Sequence, residues 1–193
     1  MTQGESTDKE LVKRILEGNP KTFEVIIRNT QGLVISIIYK MIKRPEDRKD
    51  LTQEVYLKVY DKLDSFKFNS KLSTWIGTIT YNMCLNYLVK KRIPILDVSA
   101  EKENEPWQSI ESKENQPTVD LFEKERATIL AVEIEKLPPL YKTILSLFHM
   151  QELSYKEIAV ITALPEGTLK SYLYRARRQL RTNLLLTYKR EDL

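Results

Sequence analysis

The stretch LSYKEIAVITALPEGTLKSYLYRARRQL, residues 153–180, decides the fold of the C-terminal part of the chain. Ser154, followed three residues later by Glu157, forms a capping box that predicts the start of a short helix. Leu164 and Pro165 predict a turn, and apolar residues then recur at helical spacing (Leu169, Leu173, Ala176 and Leu180). Two helices joined by so tight a turn predict a helix-turn-helix, whose second helix, residues 167–185, would enter the DNA major groove.

The other side of this second helix carries the side chains expected to meet DNA. Thr168 is placed to cap or open the helix, and the polar and basic residues follow at helical spacing: Lys170, Ser171, Tyr174, Arg175 and Arg178. Arginine can bind guanine through two hydrogen bonds, and basic residues at a helix end neutralise phosphates. The alternative is an ordinary helical hairpin with a solvated basic face.

Charge divides the chain into blocks. Residues 67–92 contain no Asp or Glu, and residues 168–190 contain seven basic residues and no acid. Between them, residues 93–120 hold seven acidic residues and two lysines, a net charge of −5, together with Pro94, Pro106 and Pro117. Such a segment reads as a flexible linker. We therefore expect two small domains, residues 1–92 and 121–193, joined by an acidic linker at 93–120.

The remaining sequence predicts an all-α protein. Helical stripes are expected at residues 8–17, from Pro20 onward, at 45–66 and from Ser73 or Thr74, either of which could cap that helix. Later helices are expected at 121–137, stopped by Pro138 and Pro139, and at 140–150. The β-branched run 33–41 is the only plausible strand, although its length and its neighbours favour a buried helix.

A second informative block is SFKFNSKLSTWIGTITYNMCLNYLVKKR, residues 65–92. It combines basic residues with aromatic and hydroxyl side chains, which is what single-stranded DNA binding requires. For Trp75, Ile79 and Tyr87 a place in the core is at least equally consistent with the sequence. The loop 67–74 is too polar for the core, and a functional role is favoured there.

Both blocks resemble the extracytoplasmic-function (ECF) subfamily of bacterial RNA polymerase sigma factors. Residues 50–92 resemble the family's region 2, and residues 137–182, LPPLYKTILSLFHMQELSYKEIAVITALPEGTLKSYLYRARRQLR and the residue that follows, resemble its region 4. The resemblance extends over about residues 20 to 185. It implies a sigma factor that binds core polymerase, recognises promoter −35 and −10 elements, and helps to melt DNA.

The resemblance also implies a role for individual positions. Core polymerase would bind Asp50, Gln53, Glu54 and Lys58, which without the family would read as a solvated helix face. The −10 element would be held by Phe66, Lys67, Phe68, Ser70, Lys71, Thr74, Trp75, Asn82, Lys90, Lys91 and Arg92. The −35 element would be read by Glu166, Thr168, Lys170, Ser171, Tyr174, Arg175 and Arg178. The acidic linker would lie in the RNA channel of the polymerase. Asn69, Thr80, Tyr81 and Glu166 depart from residues common in the family, which affects the expected promoter sequence and leaves the expected fold unchanged.

Other features restrict the class of protein. The single cysteine, Cys84, leaves no internal disulfide and fits a reducing cytoplasm, and we expect a cytoplasmic protein. The single histidine, His149, cannot build a His-based metal site or triad, so we expect no catalysis, no cofactor, no metal and no small-molecule substrate. The expected partners are bacterial core RNA polymerase, promoter DNA and, by the resemblance, an anti-sigma factor of the kind that is often membrane-anchored. The alternatives are a stand-alone helix-turn-helix regulator with an N-terminal dimerisation or sensor domain, and an enzyme such as a nuclease.

Overall fold

A computed structural model describes residues 3–95 and 120–188, with side chains described for 7–95 and 126–188. These residues form eight α-helices and no strand, which confirms the all-α prediction. The helices are α1 Gln3–Leu16, α2 Phe23–Met41, α3 Pro45–Asp61, α4 Leu72–Lys90, α5 Asp120–Lys136, α6 Pro139–His149, α7 Tyr155–Thr162 and α8 Glu166–Thr187. Nearly all of the acidic segment predicted as a linker lies outside the described residues.

The first three helices follow the predicted apolar stripes. A single 3-10 turn, Pro20–Thr22, leads into α2, and the run 33–41 is helical and buried, so the strand alternative is wrong. In α3 the four-residue spacing of Leu51, Val55 and Val59 places all three in the core. The helix ends at Asp61, and a second 3-10 turn, Leu63–Ser65, leads away from it.

The start of α4 differs from the sequence expectation. Ser73 and Thr74 were expected to cap this helix, but both lie inside its first turn, and the residue at the N-cap, Lys71, makes no side-chain cap. The backbone N–H of Leu72 instead donates to the Asp8 carboxylate of α1 at 2.9 Å. A side chain from a distant helix thus satisfies one of the N–H groups that a helix start leaves unpaired.

The C-terminal helices confirm the predicted helix-turn-helix. The capping box of α7 is complete: the Ser154 hydroxyl accepts from the backbone N–H of Glu157, and the Glu157 carboxylate accepts from the backbone N–H of Ser154. Ala163, with φ of 55°, ends α7 in the left-handed region, and Pro165 precedes α8. Thr168 lies within the first turn of α8 and does not cap it.

The two halves of the chain pack directly against each other, α6 on α2 and α7 on α4, within one continuous apolar core. Gly77 of α4 allows the closest approach, because a Cβ there would lie 2.9 Å from Cδ1 of Ile161 on α7. The hydroxyls of Ser36 on α2 and Ser146 on α6 are hydrogen-bonded at 2.8 Å. We call this packing of α6 and α7 on α2 and α4 the closed arrangement.

Candidate nucleic-acid interface

Three aromatic rings organise the loop between the second 3-10 turn and α4. The Phe66 ring is buried and lies with its centroid 4.6 Å from that of Phe68 and 5.1 Å from that of Trp75. Phe68 is 39% exposed and has a φ of 57°, in the left-handed region that L-residues with large side chains rarely adopt. The loop therefore holds one ring in the core as an anchor and presents a second ring at the surface.

Helix α1 covers the side of this loop. The Lys9 ammonium lies 5.7 Å from the centroid of the Phe68 ring. Asp8, Lys9, Phe68 and Ser70 line a cleft of about 90 Å³. Sequence reasoning missed Asp8 and Lys9, because about 60 positions separate them from the loop and no local pattern connects the two segments.

The residues expected at the −10 element divide into an exposed and a covered group. Exposed side chains are found on the loop and along the end of α4: Lys67, Phe68, Asn82, Lys90, Lys91 and Arg92. Thr74 is covered, with 2% of its surface exposed, on the side of α4 that packs on α7. The neighbouring Thr78 hydroxyl donates to the carbonyl of Val160 at 3.4 Å.

Lys71 connects the loop to the helix-turn-helix. Its ammonium donates to the Glu157 carboxylate at 2.8 Å, which places a lysine expected on DNA in an ion pair with α7. Burial alone would raise the pKa of Glu157, but the hydrogen bonds from Lys71 and Ser154 outweigh it, and the pKa of this carboxyl is lowered. Glu157 thus has two roles, one in the capping box and one between the halves.

The basic side of α8 lies at the surface. Glu166, Ser171 and Arg178 are exposed, while Thr168, Lys170, Tyr174 and Arg175 are half-buried. The Lys170 ammonium lies 5.6 Å from the Tyr155 ring centroid. The nearby Arg177 points elsewhere: it donates to Nε2 of His149 at 3.0 Å and lies over the Phe148 ring. Arg177 is therefore tied to α6, whereas Arg178 belongs to the face expected on DNA.

The residues expected to bind polymerase share one face of α3. Asp50, Gln53, Glu54 and Lys58 are all exposed. Leu57, which the sequence analysis did not single out, lies among them with 67% of its surface exposed. A groove of about 400 Å³ runs between α3 and α4, with Glu54, Lys58, Lys90 and Lys91 among its lining residues. The face thus combines charges with an unburied leucine beside a groove.

Family comparisons match both halves. Sigma-70 region 2 matches residues 26–93, and Sigma-70 region 4 matches residues 128–180. The ECF RNA polymerase sigma-E factor of Escherichia coli K12 is 35% identical over 175 residues, which cover 89% of this chain and 91% of the relative. The same factor of Haemophilus influenzae is 31% identical over 181 residues, covering 92% and 95%.

The chain belongs to the ECF family of RNA polymerase sigma factors. The loop, α4 and the α3 face of this sigma factor lie within the region 2 match, and the helix-turn-helix lies within the region 4 match. Helix α1, with Asp8 and Lys9, lies outside both matched segments.

Solved structures share the fold of this sigma factor. CnrH, solved in complex with the cytosolic domain of CnrY, superposes with a TM-score of 0.64 at 15% identity over 94% of this chain and 99% of that one. The sigma factor RpoE of Bartonella quintana, solved in complex with the anti-sigma factor NepR, superposes with a TM-score of 0.59 at 22% identity over 87% and 99%. Within residues 3–95 and 120–188, no helix is long and apolar enough to cross a membrane, and no cluster of His, Cys, Asp and Glu could hold a metal ion.

Proposed function

We propose that this sigma factor divides promoter recognition between its two halves, residues 1–92 for the −10 element and 121–193 for the −35 element. The observation that carries the proposal is the exposed Phe68 ring on a basic, acid-free loop, in the same chain as a capped helix-turn-helix with a basic outer face. The first feature suits an unstacked base, and the second suits duplex DNA.

At the −10 element the Phe68 ring would stack on a base extruded from the duplex. Stacking on an aromatic side chain contributes about 1–3 kcal/mol per base, which offsets much of the cost of unstacking. Lys67 beside it, and Lys90, Lys91 and Arg92 at the end of α4, would neutralise the phosphates of the separated strand. Asn82 would lie between these two basic groups on the same strand.

We propose that Asp8 and Lys9 complete this site from α1. Asp8 accepts from the first N–H of α4 and so positions the loop relative to the helix. Lys9 lies over the ring on which a base would stack, and could follow the base with its ammonium toward a phosphate. Asp8 is thus a positioning residue, and Lys9 is a contact that the loop itself does not supply.

The −35 element would be read by α8. Arg175 and Arg178 would reach base edges or phosphates in the major groove, together with Lys170, Ser171 and Tyr174. Arg177, which contacts His149 and Phe148 at the back of the helix, would not take part. The pair Arg177 and Arg178 therefore separates a structural arginine from a reading one at adjacent positions.

Core polymerase would dock on α3 through Asp50, Gln53, Glu54 and Lys58, and we add Leu57 to this set. An exposed leucine surrounded by charges is typical of an interface with an apolar centre and a polar rim. We further propose a cytoplasmic protein that acts without a cofactor or catalysis of its own, held in reserve by an anti-sigma factor.

Run-off transcription with core polymerase, with and without this chain, tests the proposal. The chain should be required for initiation at its own promoters, and it should co-elute with core polymerase. Phe68→Ala and Lys67→Ala should reduce promoter opening, read with permanganate, and leave core binding intact. Lys62→Ala, at an exposed lysine before the loop, is the matched control and should behave as wild type. If the chain binds a palindromic duplex but neither binds core polymerase nor redirects it, the protein is a stand-alone regulator and the proposal is wrong.

A further inference from the structure

The closed arrangement covers part of the surface that the proposed function assigns to the −10 element. Thr74 is 2% exposed, and Gly77, one turn further along α4, contacts Ile161 of α7. The Lys71 ammonium is held by Glu157, and the Thr78 hydroxyl donates to the carbonyl of Val160. A DNA strand that follows α4 through Lys71 and Thr74 would have to occupy the space of α7.

The other two proposed surfaces stay open in the same arrangement. On α3, Glu54, Leu57 and Lys58 are exposed. On α8, Ser171 and Arg178 are exposed. The closed chain therefore presents its polymerase face and its duplex-reading face while covering the face for the single strand.

Contacts remote from all three surfaces hold the halves together. Ser36 and Ser146 are hydrogen-bonded between α2 and α6. Lys40 at the end of α2 donates to the Glu135 carboxylate of α5, and Lys142 of α6 donates to the other oxygen of that carboxylate at 2.9 Å. Because these residues lie away from the proposed DNA and polymerase faces, their substitution changes the closed arrangement without touching either function directly.

We infer that this sigma factor restrains itself: α7 occupies the −10 face of α4 in the free chain, and docking on core polymerase precedes and accompanies its release. The inference rests on the proposed function, since it concerns the same −10 face. It requires no second protein, because the occupant is a helix of the same chain. A ligand whose site is covered binds with an affinity lowered in proportion to the open fraction, so release of α7 raises affinity for the −10 strand.

A reversible cross-link tests the inference in the full-length chain. Ser36→Cys and Ser146→Cys together place two thiols where hydroxyl oxygens lie 2.8 Å apart, a separation of side chains that a disulfide can bridge. Mild oxidation of the free protein should close the bridge, with the Ser36→Cys single variant as the control. The locked chain should bind core polymerase as wild type does, and its binding to a −10 non-template oligonucleotide and its promoter opening should fall by about ten-fold or more. Reductant should restore both.

Each other outcome has a definite meaning. Failure to cross-link in the free chain would show that the closed arrangement is not populated, and a locked chain that opens promoters normally would show that α7 does not cover the −10 face. Either result overturns the inference, as does loss of core binding in the locked form. If the reduced double variant and the wild type both fail to support initiation with core polymerase, the proposed function fails instead, and the two failures are distinguishable.

A second variant acts in the opposite direction. Lys40→Glu places two carboxylates together across the contact of α2 with α5 and should raise the affinity of the free chain for the −10 oligonucleotide about two- to five-fold, as expected for one partly exposed ion pair. Lys43→Glu makes the same charge change at an exposed position just beyond α2 and is the matched control. Equal effects of the two variants would indicate general electrostatics and would contradict the inference.

Discussion

Replacing Gly77 by alanine should weaken the closed arrangement while strengthening α4 itself. The added Cβ would lie 2.9 Å from Cδ1 and 3.1 Å from Cγ1 of Ile161, well inside the 3.5–4.0 Å at which carbon atoms attract. Ile161 is fully buried, which limits how far its side chain can move away. Overpacking of this kind costs about 1–3 kcal/mol, and this cost falls only on the arrangement in which α7 contacts α4.

The helix propensity of alanine acts on a different equilibrium. Alanine in a helix interior is favoured over glycine by about 0.5–1 kcal/mol, and this gain is present whether α7 is docked or released. The closed-to-open equilibrium should therefore shift by the full cost of overpacking, or about 5- to 150-fold at 1.4 kcal/mol per factor of ten. The matched control is Gly32→Ala in α2, where the new Cβ meets no atom within 4 Å. It should gain stability and leave the closed arrangement unchanged.

Two measurements on the full-length chain check this reasoning. Small-angle X-ray scattering should show a larger radius of gyration for Gly77→Ala than for the wild type and for Gly32→Ala. Fluorescence anisotropy with a −10 non-template oligonucleotide should show tighter binding by Gly77→Ala alone. If both alanine variants have the same radius and the same affinity as the wild type, Gly77 does not control the contact of α4 with α7, and the argument from its missing Cβ is refuted.

Three further predictions follow from single side chains. Asp8→Ala should let the first turn of α4 fray, seen as faster amide exchange there, and should reduce opening of duplex promoters more than binding to a pre-melted one, with core binding kept; an equal loss in both would contradict a positioning role. The hydrogen bonds to Glu157 and Glu135 lower both pKa values, against the effect of burial, so the stability that these groups give the closed arrangement should be fully present above the ordinary value of 4.5 and be lost as the pH falls through their lowered values; a radius of gyration that stays constant down to pH 3 would contradict this. Burial raises the pKa of the Cys84 thiol to about 12, so it should stay unreactive toward a thiol reagent at pH 8 in the native protein and react at once in urea, and rapid native labelling would show that the core is open.

Much of the fold could be predicted because its signals are local. The capping box of α7 spans four residues, and the stripe of α3 repeats every four, so each is visible within a short window of sequence. The start of α4 could not be predicted in the same way. Its cap is Asp8, a side chain about 60 positions away, and Ser73 and Thr74 were the best local candidates only because the tertiary contact was unknown.

The arrangement of the candidate site was less accessible than its composition. The sequence indicated the basic and aromatic residues of the loop and the basic face of α8, and their exposure or burial follows from packing between distant segments. Glu157 illustrates the difference: its place in the capping box is a local property, while its ion pair with Lys71 joins positions 86 residues apart. Gly77, a glycine within a helical pattern, was the one available sign of a close backbone approach, and it gave no indication of which helix would approach.

The positive φ of Phe68 sets two demands on one position that no common residue meets together. Glycine would suit the backbone, since it lacks the Cβ that makes the left-handed region unfavourable, but it would remove the ring. A large aromatic residue keeps the ring and accepts a conformation that costs about 1–2 kcal/mol. In a collection of natural variants, drift toward glycine or asparagine at this position would mark lineages released from selection for strand separation. Retention of the ring would mark those still under it.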